Sequence, residues 1–209
     1  MENWTWKSTQ IQFQDKTIIL GLLINAHQKW AFVHIPKTGG TSVSKVLGEM
    51  PNTKNPAGHD SLRIIEANLS EYFKFTLVRN PFTRIASAYF HEIRKTEHMS
   101  FEHFLKNSNE YDLWFLNQTY YTHEGCTKDK QMNYIGRYEN YKDDVAYLLN
   151  KIGIDSNIPH LNRNPIYDKH PQLNQQKYYK HLYSEKWMKD WVRERYYNDF
   201  KIFNYGMEI

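Results

Sequence analysis

Three times along the chain a short apolar run of strand character passes, within a few residues, into a stretch of helical periodicity. That repeated order limits the fold more than any other feature. The first passage runs from Trp30-Ala31-Phe32-Val33-His34-Ile35 through Pro36-Lys37-Thr38-Gly39-Gly40 into a helix expected from Thr41 to about Glu49. The second is Phe73 to Val78, then Arg79-Asn80-Pro81 and a helix to about Lys95. The third is Tyr134 to Tyr138, then a helix from about Tyr141 to Ile152. Strands alternating with helices of this length predict an α/β fold with a central, mainly parallel sheet and helices packed on it.

The helices are expected from spacing that can be counted. Phe82, Ile85, Ala86, Tyr89 and Ile93 recur at i, i+3, i+4, i+7 and i+11, and Tyr141, Val145, Leu148, Leu149 and Ile152 nearly repeat the pattern, so each helix carries one apolar stripe. Asn80 before Pro81 is a start signal: the amide oxygen accepts from a free N–H, and proline at the first helical position loses no needed donor. A last helix is expected near Ser184 to Tyr197, packing Trp187, Met188, Trp191 and Val192. Two stretches read as loops, Pro51 to Asp60 and Gly153 to about Gln175, the second long enough to cover a ligand or to move.

With 209 residues the chain is expected to form a single domain over 1–209. Lys and Arg number 27 against 23 Asp and Glu, a net charge of +4. That balance suits an anionic ligand and falls short of a dedicated nucleic-acid binder, so no nucleic acid is expected as partner. Cys126 is the only cysteine, which excludes an intramolecular disulfide and thiolate-rich metal sites, and no other cluster of ligands implies a metal. The longest apolar run, Ile18 to Ile24, is far shorter than the ~20 residues of a spanning helix, and the first sixteen residues lack the apolar stretch of a secretory signal. A soluble, cytoplasmic protein without membrane association is expected.

Pro36-Lys37-Thr38-Gly39-Gly40-Thr41-Ser42 lies between a strand and a helix, where backbone N–H groups and the positive helix end can hold an anion. Two adjacent glycines let the backbone close around an oxyanion; Lys37 adds charge, and Thr41 and Ser42 add hydroxyls. The alternative is a plain glycine turn. The loop is not a Walker sequence, since its lysine precedes both glycines. Downstream, Arg79 falls at the end of its strand, and Ser87 projects roughly 140° from the centre of the apolar stripe of its helix. A guanidinium fork with a hydroxyl suits a terminal phosphate. Alternatively Arg79 pairs with a carboxylate and Ser87 is a tolerated surface residue. Arg84 and Arg94 are expected as solvated charges on the helix face.

His34 to Ser42 resembles the 5′-phosphosulfate loop of sulfotransferases that use 3′-phosphoadenosine 5′-phosphosulfate (PAPS), in particular their carbohydrate, Golgi-type branch. Val78-Arg79-Asn80-Pro81-Phe82-Thr83-Arg84-Ile85-Ala86-Ser87-Ala88-Tyr89 is similar to that family's 3′-phosphate segment. Ile135 to Asn140 and the tail from Arg195 to Tyr205 also resemble the family, so the likeness runs from about Trp30 to the C-terminus and leaves residues 1–29 unmatched. It implies a P-loop-NTPase-like three-layer fold and transfer of the sulfuryl group of PAPS to a hydroxyl-bearing small molecule or glycan, without a metal. Lys37, Thr38, Gly39, Gly40, Thr41 and Ser42 would then hold the 5′ end of the nucleotide, Arg79 and Ser87 its 3′-phosphate, and Tyr138 its adenine. Tyr138 as one of 16 packed tyrosines is the alternative.

Transfer requires a base for the acceptor hydroxyl and a clamp for the leaving phosphate oxygen. Lys37 is the clamp. The family places its base between the two nucleotide motifs, and that interval holds His59, whose imidazole titrates near neutrality; a capping or surface role is its alternative. Glu66 and Glu71 share the interval. His34 is expected to orient the loop, and Lys169, Lys177 and Tyr179 either close over the phosphates or face solvent. A nucleotide-dependent phosphotransferase and a nucleotide-binding module without catalysis are the competing functions.

Overall fold

The computed structural model describes residues 11–13, 16–18, 21–54, 70–93, 99–108, 115–122, 132–154 and 176–209. A two-stranded antiparallel hairpin, β1 (Ile11–Phe13) and β2 (Lys16–Ile18), precedes a five-stranded sheet. That sheet consists of β3 (Gly21–Asn25), β4 (Trp30–His34), β5 (Thr53–Lys54), β6 (Phe73–Val78) and β7 (Tyr134–Arg137), in the order β5-β3-β4-β6-β7. β4, β6 and β7 pair in parallel, while β3 opposes both β4 and β5, so four of the five strands point the same way. The expected mixed α/β architecture is therefore present.

The helices are α1 (Gly40–Gly48), α2 (Pro81–Glu92), α3 (Phe101–Lys106), α4 (Gln118–Thr122), α5 (Tyr141–Lys151), α6 (Gln176–Leu182), α7 (Lys186–Arg195) and α8 (Tyr197–Ile202). Side-chain alternation along the strands divides the core between the two faces of the sheet. Trp30, Phe32 and Phe75 pack with Val43 and Leu47 of α1 and with Val145, Leu148 and Leu149 of α5. Ala31, Val33 and Val78 face the other way, toward Tyr121 of α4 and Phe203 behind α8. A further cluster joins Phe82, Ile85 and Ala88 of α2 to Phe104, Met188, Val192 and Phe200. Full burial of rings such as Trp30, Phe32 and Phe75 contributes about 1.5–3 kcal/mol each.

Two sequence expectations are corrected. β3 lies within the segment that matched nothing; its run of Leu22, Leu23 and Ile24 is buried on both faces and so shows no alternation. Asn25 closes the hairpin to β4, its side-chain oxygen accepting from the His27 and Gln28 N–H groups at 3.1 and 2.9 Å. The stretch expected as a loop from Pro51 contains β5, a two-residue edge strand too short to leave a period. The helix expected near Ser184 to Tyr197 is α7, which stops at Arg195 before Tyr196, whose φ of −108° and ψ of 24° leave the helical region, and α8 follows it. The Tyr196 phenol donates to the Phe115 carbonyl at 3.0 Å inside the core. Most of the expected long loop, from residue 155 to 175, lies outside the described residues.

Candidate active site

β4 and β6 are neighbours and parallel, with Val33 beside Thr76, so the residues following each strand emerge at the same end of the sheet. The carboxyl end of parallel strands is where α/β sheets bind ligands. The Pro36–Gly39 turn follows β4; Arg79 and Asn80 follow β6.

The first junction turns through two left-handed residues, Lys37 with φ of 68° and Gly39 with φ of 86°. A side chain in that region costs about 1–2 kcal/mol, so surrounding contacts must hold Lys37 there. They do so through the loop's carbonyls. The Thr38 hydroxyl donates to the Ile35 carbonyl at 2.8 Å, Arg84 Nε to Pro36 at 3.1 Å, Arg79 Nη1 to Lys37 at 3.3 Å and the Tyr141 phenol to Gly39 at 3.1 Å. Each of these carbonyls, the part of a peptide that repels an anion, is thus occupied by a protein donor. Gly39 caps α1 with no side chain in the capping position, which leaves the positive helix end to a ligand.

Both glycines are required by close approach. A Cβ on Gly40 would overlap the His34 ring, coming within 2.7 Å of Nε2; a Cβ on Gly39 would lie 2.8 Å from Tyr141 and 2.9 Å from Tyr138. His34 floors the loop, stacked on Phe32 with ring centroids 5.9 Å apart and its Nδ1 3.3 Å from the Ser44 hydroxyl. Of the other loop residues, Thr41 is exposed, whereas Thr38 and Ser42 are buried. The Ser42 hydroxyl bonds the Tyr141 phenol, whose pKa burial pushes up.

At the second junction Arg79 is 5% exposed and held on every side. Its Nε donates to the Thr83 hydroxyl at 3.0 Å and its Nη2 to the Tyr179 phenol at 3.3 Å, while its guanidinium carbon lies 3.9 Å from the centre of the Tyr138 ring. Tyr138 therefore stands between Arg79 and Gly39. Tyr179 is buried against Phe90 and bonded to Arg79, which answers whether it faces solvent. Ser87 lies half-buried one turn beyond Thr83 on α2. The loop, Arg79 and Tyr138 thus come together.

The expectation for Arg84 is overturned. It is 0% exposed, with Nε on the Pro36 carbonyl, because α2 is covered by the loop on the side that the apolar stripe leaves polar. Sequence reasoning also missed Gln118 and Asp199, both buried behind Arg79; Gln118 stands in no motif, and Asp199, within the tail that resembles the family, shows its role only through its contacts with Gln118. Glu71 lies away from the loop. It pairs with Lys29 at 2.7 Å, a hydrogen bond that holds its carboxyl below the usual range, and both residues precede their strands. They sit a strand's length, about 15–20 Å, from the loop. His59, Glu66 and Lys169 lie outside the described residues, as does the side chain of Lys177.

The family model described as the sulfotransferase family matches residues 21–206. The chain belongs to the sulfotransferase family. The match takes in β3, so the family's likeness begins earlier than the loop motif. Carbohydrate sulfotransferase 14 of Danio rerio is similar at 22% identity over 99% of this chain and 67% of its own length. Carbohydrate sulfotransferase 10 of Xenopus laevis is 23% identical over 91% of this chain and 68% of its own. An uncharacterised protein of Archaeoglobus fulgidus is 33% identical over 42% of this chain and 72% of its own. No solved structure matches the chain. Among the described residues no helix is long and apolar enough to cross a membrane, and no group of three or more His, Cys, Asp or Glu side chains is placed to hold a metal ion.

Proposed function

We propose that this sulfotransferase-family protein moves the sulfuryl group of PAPS to a hydroxyl, with a carbohydrate as acceptor. One observation carries the reading: a loop whose carbonyls are occupied by protein donors and an arginine caged by tyrosines meet at one end of the sheet, 3.3 Å apart. A nucleotide phosphorylated at both ends needs two such anion sites within its own length. The names of the two vertebrate relatives support a sugar hydroxyl.

Lys37 and the N–H groups of Gly39, Gly40 and Thr41 would take the 5′-phosphosulfate, with Thr38 and Ser42 shaping the loop from behind. Arg79 and Ser87 would take the 3′-phosphate. Tyr138, stacked on the Arg79 guanidinium, would take adenine. His59 serves as base: the acceptor oxygen bonds to sulfur, the bond from sulfur to the 5′-phosphate oxygen breaks, the hydroxyl proton passes to the imidazole, and adenosine 3′,5′-bisphosphate leaves. Lys37 stabilises the charge that builds on the departing oxygen.

The test is a thermal-shift titration with adenosine 3′,5′-bisphosphate against ATP with magnesium, followed by transfer of labelled sulfate from PAPS to a panel of glycans. A ligand bound only by the folded state raises its melting temperature. Stabilisation by the bisphosphate with transfer to a glycan is expected. Preference for magnesium-ATP would make the protein a phosphotransferase, and bisphosphate binding without any transfer would make it a binding module.

A further inference from the structure

We propose that Gln118, oriented by the buried pair Asp199 and Arg84, is a positioning residue that sets the place of Arg79 for the nucleotide's 3′-phosphate. This rests on the nucleotide assignment above. β6 ends at Val78, the last residue paired with β7 through Arg137, so Arg79 has left the ladder. The Gln118 side chain supplies what a strand would have given: Oε1 accepts from the Arg79 N–H at 2.8 Å and Nε2 donates to the Arg79 carbonyl at 2.8 Å. Fixing both backbone groups fixes the point from which the guanidinium reaches out.

The Arg79 backbone admits only one orientation of this amide, oxygen to the N–H and NH₂ to the carbonyl, and Asp199 reinforces it. Its Oδ2 accepts from Gln118 Nε2 at 3.3 Å and from the Gln118 N–H at 2.9 Å, and Oδ1 accepts from the Thr119 N–H at 2.9 Å. A carboxylate only accepts, so the NH₂ group must turn toward it and the amide oxygen toward the Arg79 N–H. Arg84 supplies the opposite charge to Asp199 and ties the assembly to the other junction through its 3.1 Å bond to the Pro36 carbonyl. Its Nη1 and Nη2 have no hydrogen-bond partner among the described residues, so its charge is answered through space. Gln118, Asp199 and Arg84 are all 0% exposed. They act on the nucleotide only through Arg79 and the loop.

The experiment compares calorimetric affinities for adenosine 3′,5′-bisphosphate and adenosine 5′-monophosphate, which differ only in the 3′-phosphate, in the wild type, Gln118→Met and Asp199→Asn. The wild type should prefer the bisphosphate. Gln118→Met, close in volume but without the clamp, should lose about tenfold of that preference, while its monophosphate affinity changes by less than about threefold. Asp199→Asn should show the same loss to a smaller degree. If Gln118→Met fails to fold, Gln118→Asn, with the amide withdrawn by one methylene, is read in the same way. General loosening would weaken both ligands alike; that result, or an undiminished preference, overturns the positioning role alone. A wild type without preference overturns the nucleotide assignment and this inference with it.

Discussion

The two strand-to-helix junctions, one after β4 and one after β6, make anion sites by opposite means. After β4 the backbone itself is the instrument. Side chains are removed at Gly39 and Gly40, no side chain caps α1, and donors from elsewhere occupy the loop carbonyls. After β6 the backbone is closed off: Asn80 accepts from the Phe82 N–H at 3.0 Å, Pro81 has no N–H to offer, and Gln118 takes both groups of Arg79. There the anion-binding capacity lies in one caged side chain. An open helix end recognises an oxyanion by shape, whereas a capped one must present a guanidinium.

The largest effects should separate the two junctions. Lys37→Ala should lower the transfer rate by about 10²–10³-fold with a much smaller change in bisphosphate affinity, because its charge matters most as the leaving oxygen develops. Single-turnover kinetics with PAPS check this. Arg79→Ala should instead weaken bisphosphate binding by roughly 10²-fold, about 3 kcal/mol, with most of the loss absent for the monophosphate in calorimetry. A uniform loss for both variants would erase the distinction.

Smaller effects concern stability. Gly40→Ala forces a methyl into the His34 ring and should destabilise by about 1–3 kcal/mol while also weakening the monophosphate, as denaturant unfolding and titration would report. Asn80→Ala removes only a cap; it should cost about 1 kcal/mol in unfolding and leave nucleotide affinity unchanged. The smallest concerns pH. Burial raises the pKa of the Asp199 carboxyl, against the opposing pull of Arg84 and its N–H donors. The folded protein therefore binds this proton more tightly than the unfolded chain, so the contribution of Asp199 to stability rises as pH falls through its raised value. Asp199→Asn should remove that increment from the acid side of a stability profile.

The stripe of Phe82, Ile85, Ala86 and Tyr89 was legible because a helix writes its buried face at fixed intervals, and the loop was legible because lysine and paired glycine between a strand and a helix have few other uses. Arg84 was not. Its position is polar by periodicity, and only the loop and the distant Asp199 make it a core residue. β3 lacked alternation because both its faces are covered. Gln118 sits on a five-residue helix with no pattern of its own; its meaning comes from Arg79 on another element.

The decisive measurement is a crystal structure of the protein with adenosine 3′,5′-bisphosphate bound. The 5′-phosphate should lie against Lys37 and the N–H groups of Gly39, Gly40 and Thr41, with the 3′-phosphate of the same molecule on Arg79 and Ser87. A nucleotide that engages one junction and leaves the other to solvent would contradict it.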